Sequence, residues 1–147
     1  MKIRVDECVS NKIVQAIKLV CLNKGIELDH VRDHHENRTP DETWIPRFAE
    51  DGGKIYISGD AAILKRPHQL VAVRDAGLAS IVLSEQFTHM KRYDQAAHLM
   101  YWWPRIEQCA KDAKVGECWL VPPKFDRSLG LTLKKIDYDK PAKAIGR

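Results

Sequence analysis

Apolar residues recur along this chain with two different periods. Short runs at residues 2–5 (KIRV), 54–58 (KIYIS) and 79–83 (ASIVL) are rich in β-branched side chains and bounded by charge or glycine. Such runs predict brief buried strands. Ile26–Val31 and Glu117–Val121 predict two more, the last stopped by Pro122-Pro123. Between these runs the spacing lengthens to three or four. Ile13, Ile17, Val20 and Cys21 share one face of a helix that Ser10 caps and that ends in Lys24 and Gly25. Thr39-Pro40-Asp41-Glu42 reads as a helix start, with Thr39 as cap, Pro40 at the first helical position and Glu42 closing a capping box. That helix runs to about Asp51, is kinked at Pro46 and ends at Gly52-Gly53. Residues 61–76 are helical with a break at Pro67. Residues 90–113 form the longest helix, with Tyr93, Ala97, Met100 and the Trp102-Trp103 pair turned inward and Pro104 kinking or splitting it.

Strands alternating with helices imply parallel pairing, and so a three-layer α/β/α sandwich around a central, mostly parallel sheet. The 147 residues suit one domain, placed at 1–125, with 126–147 as a basic C-terminal tail or an edge strand over Leu129–Ile136. That tail holds six Lys/Arg against three Asp, so +3 of the net charge of +4 lies there. The balance is compatible with nucleic acid without pointing to it. No apolar run approaches the roughly 20 residues that cross a bilayer. MKIRVDE has no apolar stretch or cleavage site of a secretory signal, so a cytoplasmic location is expected, without membrane partners. Cys8, Cys21, Cys109 and Cys118 form no C-x-x-C pair and read as reduced, buried or half-buried thiols.

The candidate chemistry lies where strands end. The first strand delivers Asp6 and Glu7, the third Asp60, and Asp41 opens the helix after the second. In an open parallel sheet, ligands bind beyond the carboxyl ends of the strands. Two carboxylates at about 4 Å repel by about 4 kcal/mol at an effective dielectric near 20, so three acids meeting there call for a cation. Hard oxygen donors favour Mg2+ or Mn2+, and that pairing suits phosphodiester hydrolysis. Each acid also has an ordinary reading: Asp6 as a plain strand end or as the partner of Lys65 or Arg66, Asp41 as a favourable charge at a helix start, Asp60 as the cap of the next helix. The functional reading requires them to converge. Glu7, Glu42 and Glu85 are possible additional acids, Glu42 being better explained by the capping box. Arg38, Lys65 and Arg66 stand near enough in sequence to meet a phosphate, which the resemblance given below would make that of RNA. The stretch Arg32-Asp33-His34-His35-Glu36 reads as a polar surface loop, because adjacent histidines point apart. Of Trp102 and Trp103, one is expected in the core and the other on a dimer surface.

The motifs VDECVS, TPDETWI and KIYISGDAAI, in this order, resemble the PIN-domain superfamily, and more narrowly the compact PIN-like proteins of the VapC-type toxin ribonuclease group. The resemblance covers residues 1–125 and includes DETWIPRFAEDGG and HQLVAVRDAGLASIVLS. It implies a Mg2+- or Mn2+-dependent endoribonuclease acting on RNA, with Asp6, Asp41 and Asp60 on the family's acidic metal ligands. It also implies a toxin of a toxin–antitoxin pair, with a cognate antitoxin protein and a homodimer. Where PIN ribonucleases often carry a fourth acid, this chain has Ala61-Ala62, which puts a second metal in doubt. Two other readings follow: a PIN-like module that binds RNA or protein without cutting, and a receiver-like phosphoacceptor domain built on Asp6-Glu7, Asp60, Ser84 and Lys124, which leaves Asp41 unexplained.

Overall fold

Alternation along β1 (Lys2–Val5) sets the layering. Ile3 and Val5 point to one side of the sheet and Arg4 to the other, and all three are buried. The same switch repeats in β3 (Ile55–Ser58), where Ile55 and Ile57 face one core and Tyr56 the other, and in β4 (Ala79–Val82), where Ala79 and Ile81 oppose Val82. A sheet apolar on both faces must be covered on both. In the computed structural model, which describes residues 1–35, 39–136 and 138, it is. Helices α1 (Asn11–Val20), α4 (Glu85–His89) and α5 (Arg92–Asp112) supply Ile13, Ile17, Phe87, Leu99, Trp102 and Ile106 to the first core. Helices α2 (Asp41–Glu50) and α3 (Pro67–Asp75) supply Trp44, Ile45, Phe48, Leu70 and Val73 to the second. The expected α/β/α sandwich with a mostly parallel sheet is the fold found.

The sheet order is β2-β1-β3-β4-β5-β6, with β2 at Glu27–His30, β5 at Cys118–Leu120 and β6 at Thr132–Lys134. The first four pairings are parallel, and β6 lies antiparallel along β5. Register places Arg4 opposite Asp29, where the guanidinium donates to both carboxylate oxygens at 2.8 and 2.9 Å and stacks over Phe48. A buried arginine needs such a partner, and the two-pronged bond fixes β2 against β1.

Several expectations are corrected. Val20 is exposed, and Cys21 and Leu22 pack inward in its place. Gly25, at φ +83°, lies beyond the helix end in the turn before β2, where its carbonyl accepts from the N-terminal amine at 2.8 Å. Pro40 is the N-cap of α2, Asp41 is its first residue, and no side chain caps it, so the Thr39–Glu42 box does not form. Tyr93 and Ala97 are exposed. Trp102 and Trp103 are both buried in the core, so neither forms a surface. Pro104 does not split α5: it lies on the exposed face, and Trp102, Trp103 and Ile106 anchor the helix to the core on either side of it. Cys8 is an exposed residue, whereas Cys21 and Cys109 are half-buried and Cys118 is buried. Among the described residues, no helix is long and apolar enough to cross a membrane.

Candidate active site

Asp6 follows the last residue of β1, and its backbone amide still donates to the Ile57 carbonyl of β3. Its carboxylate is therefore held between two strand ends. One oxygen accepts from the Cys8 amide at 3.0 Å and the Gly59 amide at 3.1 Å; the other accepts from the Ser58 hydroxyl at 2.8 Å and the Tyr56 hydroxyl at 3.1 Å. Burial is the largest influence on this carboxyl and raises its pKa from 3.8 to about 6, against the opposing pull of those four donors. Close approach makes the arrangement possible: a Cβ on Gly59 would lie 2.9 Å from the Val9 side chain and 3.2 Å from the Cys8 backbone.

Asp60 leaves β3 two residues after Ser58, whose hydroxyl accepts from the Asp60 amide at 3.1 Å. One carboxylate oxygen caps the 3-10 turn Ala61–Lys65 by accepting from the Ala62 amide at 2.9 Å. The other pairs with Arg66 at 2.8 Å, both side chains being about two-fifths exposed. Of the two partners open to Asp6 in its ordinary reading, Arg66 pairs with Asp60 instead. Asp41, half-buried at the start of α2, accepts from the Trp44 indole at 3.0 Å. Burial raises its pKa, the indole bond lowers it, Glu42 and Glu7 raise it and Arg66 lowers it.

Cys8 feels the charge of Asp6, Asp60, Glu7 and Asp41. Burial first, and then each of these carboxylates, pushes its thiol up to about 12. An uncharged thiol there is the expected response to a strongly negative neighbourhood. Glu7 is also within 3.6 Å of Arg32. Glu42 lines a cavity of about 540 Å3 between α2 and α3, together with Ala49, Glu50, Ala72, Asp75 and Ala76. Lys65 and Glu85 line a cavity of about 280 Å3 beside Asp60, with Thr88 and His89. Arg38 and Glu36 lie outside the described residues. His34 meets the Asp29 carboxylate at 2.8 Å, and Val31–Asp33 forms a 3-10 turn in the expected polar loop. The residues that hold the acids (Tyr56, Ser58, Gly59 and Trp44) went unread in the sequence. Only the small pair Ser58-Gly59 between a strand and an acid offered a signal.

The sheet order 2-1-3-4-5 does not by itself separate a PIN-like domain from a receiver, since flavodoxin-like folds share it. The family comparison does. A family model described as a PIN like domain matches residues 1–85, which contain Asp6, Asp41 and Asp60. The chain belongs to this PIN-like domain family. No curated protein and no solved structure matches it. The PIN-like assignment makes the fold one of nuclease type and leaves the receiver layout without support.

The donors of this PIN-like site fit a hard divalent cation by type, being carboxylate oxygens in a negative field. The buried hydroxyl of Ser84, at the exit of β4, has no hydrogen-bond partner among the described residues, nor does the buried Nε of Arg66. Among the same residues, however, no three or more of His, Cys, Asp and Glu stand as a ready ligand set. The fit is to an ion held by one or two carboxylates and otherwise by water and phosphate, the usual habit of Mg2+.

Proposed function

We propose that this PIN-like domain is a Mg2+- or Mn2+-dependent endoribonuclease whose acidic residues are Asp6, Asp41 and Asp60. The observation that carries the reading is the linkage of two strand ends through one carboxylate: Asp6 binds Ser58 and Gly59, and Ser58 in turn holds Asp60. What a divalent ion supplies when bound there is polarisation of the phosphoryl group and activation of water at neutral pH. The protein's own part is to orient. Trp44 holds Asp41, the Gly59 amide and Ser58 hydroxyl hold Asp6, and Arg66 sits within reach of a phosphate once it leaves Asp60. Lys65 and Arg66 offer positive charge to the RNA backbone. The toxin role, a cognate antitoxin protein and a homodimer extend the proposal by family resemblance, and a cytoplasmic site of action goes with them.

The test is cleavage of structured RNA by the purified protein. Activity should require Mn2+ or Mg2+, stop with EDTA, and fall at least 100-fold in Asp60→Asn, a loss of the size that removing one electrostatic stabiliser produces. Undiminished cleavage by Asp60→Asn would assign the activity to a contaminant. A second reading, a module that binds RNA or protein without cutting, draws support from the Asp60–Arg66 ion pair and from Ala61-Ala62 at the place of a fourth acid. Metal-independent RNA binding with no cleavage of any RNA would favour it.

A further inference from the structure

The groove of about 540 Å3 between α2 and α3 lies on the face of the sheet away from α1 and α5. Its apolar lining is made of small residues: Pro46 and Ala49 of α2, and Ala72 and Ala76 at the end of α3. Its charge has one sign. Glu42, Glu50 and Asp75 line it, and no Lys, Arg or His does among the described residues. Arg74 offsets Asp75 at 3.1 Å. Glu42 and Glu50 are exposed and form no ion pair among the described residues, so the uncompensated charge rests on them. A trough of small apolar residues between carboxylates complements a segment that alternates cations with small apolar side chains.

The chain holds such a segment. Residues 139–147 read DKPAKAIGR, with Lys140, Lys143 and Arg147 against Asp139, and with Pro141, Ala142, Ala144 and Ile145 among them. These nine residues lie outside the described ones, but the point they leave from is fixed. Tyr138 packs with Ile136 on the second core and donates its hydroxyl to the Gly116 carbonyl. Its ring stacks against the Arg74 guanidinium at 4.4 Å, and Arg74 in turn holds Asp75 of the groove. One side chain therefore separates the start of the segment from the end of the groove. Nine residues reach about 30 Å when extended. The ten-residue α2 is about 15 Å long, so the segment can cover the groove as far as Glu42.

We propose that residues 139–147 dock in the groove between α2 and α3 of their own chain, with their cations against Glu42 and Glu50 and their small apolar residues on Pro46, Ala49 and Ala72. The tether decides the occupant: a short linker holds the segment at a high local concentration, which neither a second copy nor a separate protein matches. The docking is independent of the nuclease reading.

The test is limited trypsin digestion of the whole chain, followed by intact mass. Trypsin cuts after Lys143 and passes over Lys140, which precedes a proline, so loss of residues 144–147 reports on the segment. Cleavage follows the undocked fraction. It should be about ten-fold slower than in a free peptide of residues 136–147, whatever the protein concentration. Glu42→Gln/Glu50→Gln changes two exposed side chains and should speed cleavage about five-fold. Lys140→Ala, outside the folded layers, should speed it about two- to three-fold relative to its own free peptide. Glu27→Gln, an exposed acid of β2 outside the groove, serves as control and should match the parent protein. Parent cleavage as fast as that of the free peptide would overturn the proposal, and so would full protection kept by the double variant. Should that variant fail to fold, Lys140→Ala decides in the same way. Protection that appears only as protein concentration rises would also overturn it, by giving the groove to a second copy.

Discussion

Asp6 has two opposed demands. Four donors hold its carboxylate, yet burial outweighs them and lifts its pKa from 3.8 to about 6. Between those values the folded chain keeps a proton that the unfolded chain has released. Stability from this group is therefore full below about pH 4 and is lost as pH rises through about 6, by about 2–3 kcal/mol in all. Asn at this position has no charge to bury, and its amide group can donate to the Ser58 and Tyr56 hydroxyls, which can accept as well as donate. Asp6→Asn is accordingly expected to raise stability at pH 7.5 by about 1–2 kcal/mol, with the gap closing near pH 4. Urea midpoints at the two pH values measure it; a variant less stable than the parent at pH 7.5 would show that the donors outweigh burial. Arg66 bears on the neighbouring acid. Its guanidinium occupies the Asp60 oxygen that a cation would need, and the pair is half-exposed. Such pairs are worth about 0.5–1 kcal/mol, so Arg66→Ala should tighten Mn2+ binding about two- to five-fold by calorimetry while lowering RNA affinity. Weaker Mn2+ binding in this variant would remove Asp60 from the metal site.

The three central strands β1, β3 and β4 were readable because each is a short run with Ile or Val closed by a charge or a small residue, and β1 was placed residue for residue at Lys2–Val5. Helix ends were harder. Pro40 occupies the cap rather than the first turn of α2, a difference of one residue that dissolves the capping box. The five-residue α4 buries only Phe87, too little periodicity to register as a helix. Pro104 was read as a breaker because local propensity disfavours it, but Trp102, Trp103 and Ile106 hold α5 through it by tertiary packing. The decisive local element for function is the exit of β3. Ser58-Gly59-Asp60 must pass close to Cys8 and Val9, and only glycine leaves room. Gly59→Ala should therefore part the two strand ends and weaken the amide bond to Asp6. A destabilisation of about 1–3 kcal/mol by denaturant unfolding is expected, together with loss of cleavage well beyond what the unfolded fraction explains. Full activity in folded Gly59→Ala would mean that the Asp6–Gly59 contact does not set the site.

Across the whole molecule, the positions of Asp6 and Asp60 after strand ends and of Asp41 at a helix start were legible because the alternation of strands and helices sets them. The cations were not. Lys12, Arg32 and Arg92 come from three elements separated by up to 80 residues and become neighbours only on folding. The Asp60–Arg66 pair depends on the path of a 3-10 turn that no periodicity announces. The edge thus carries buried and half-buried carboxyls, and their titration links fold stability to pH and, on the proposed reading, to metal in a checkable way. An ion that binds only the folded chain stabilises it by mass action. One millimolar Mn2+ acting on a site of about 0.1 mM affinity would raise the melting temperature by about 3–5 °C at pH 7.5. On the proposed metal reading, binding requires Asp6 to be ionised, and at pH 5 a carboxyl titrating near 6 is mostly protonated. Affinity should then fall about ten-fold and the thermal shift should shrink to about a third, roughly 1 °C. Asp6→Asn should abolish the shift at both pH values, and EDTA should reverse it in the parent protein. A Mn2+-induced shift of equal size at pH 5 and pH 7.5, or one retained in Asp6→Asn, would place the ion elsewhere on the molecule and detach the metal from the acids of the two strand ends.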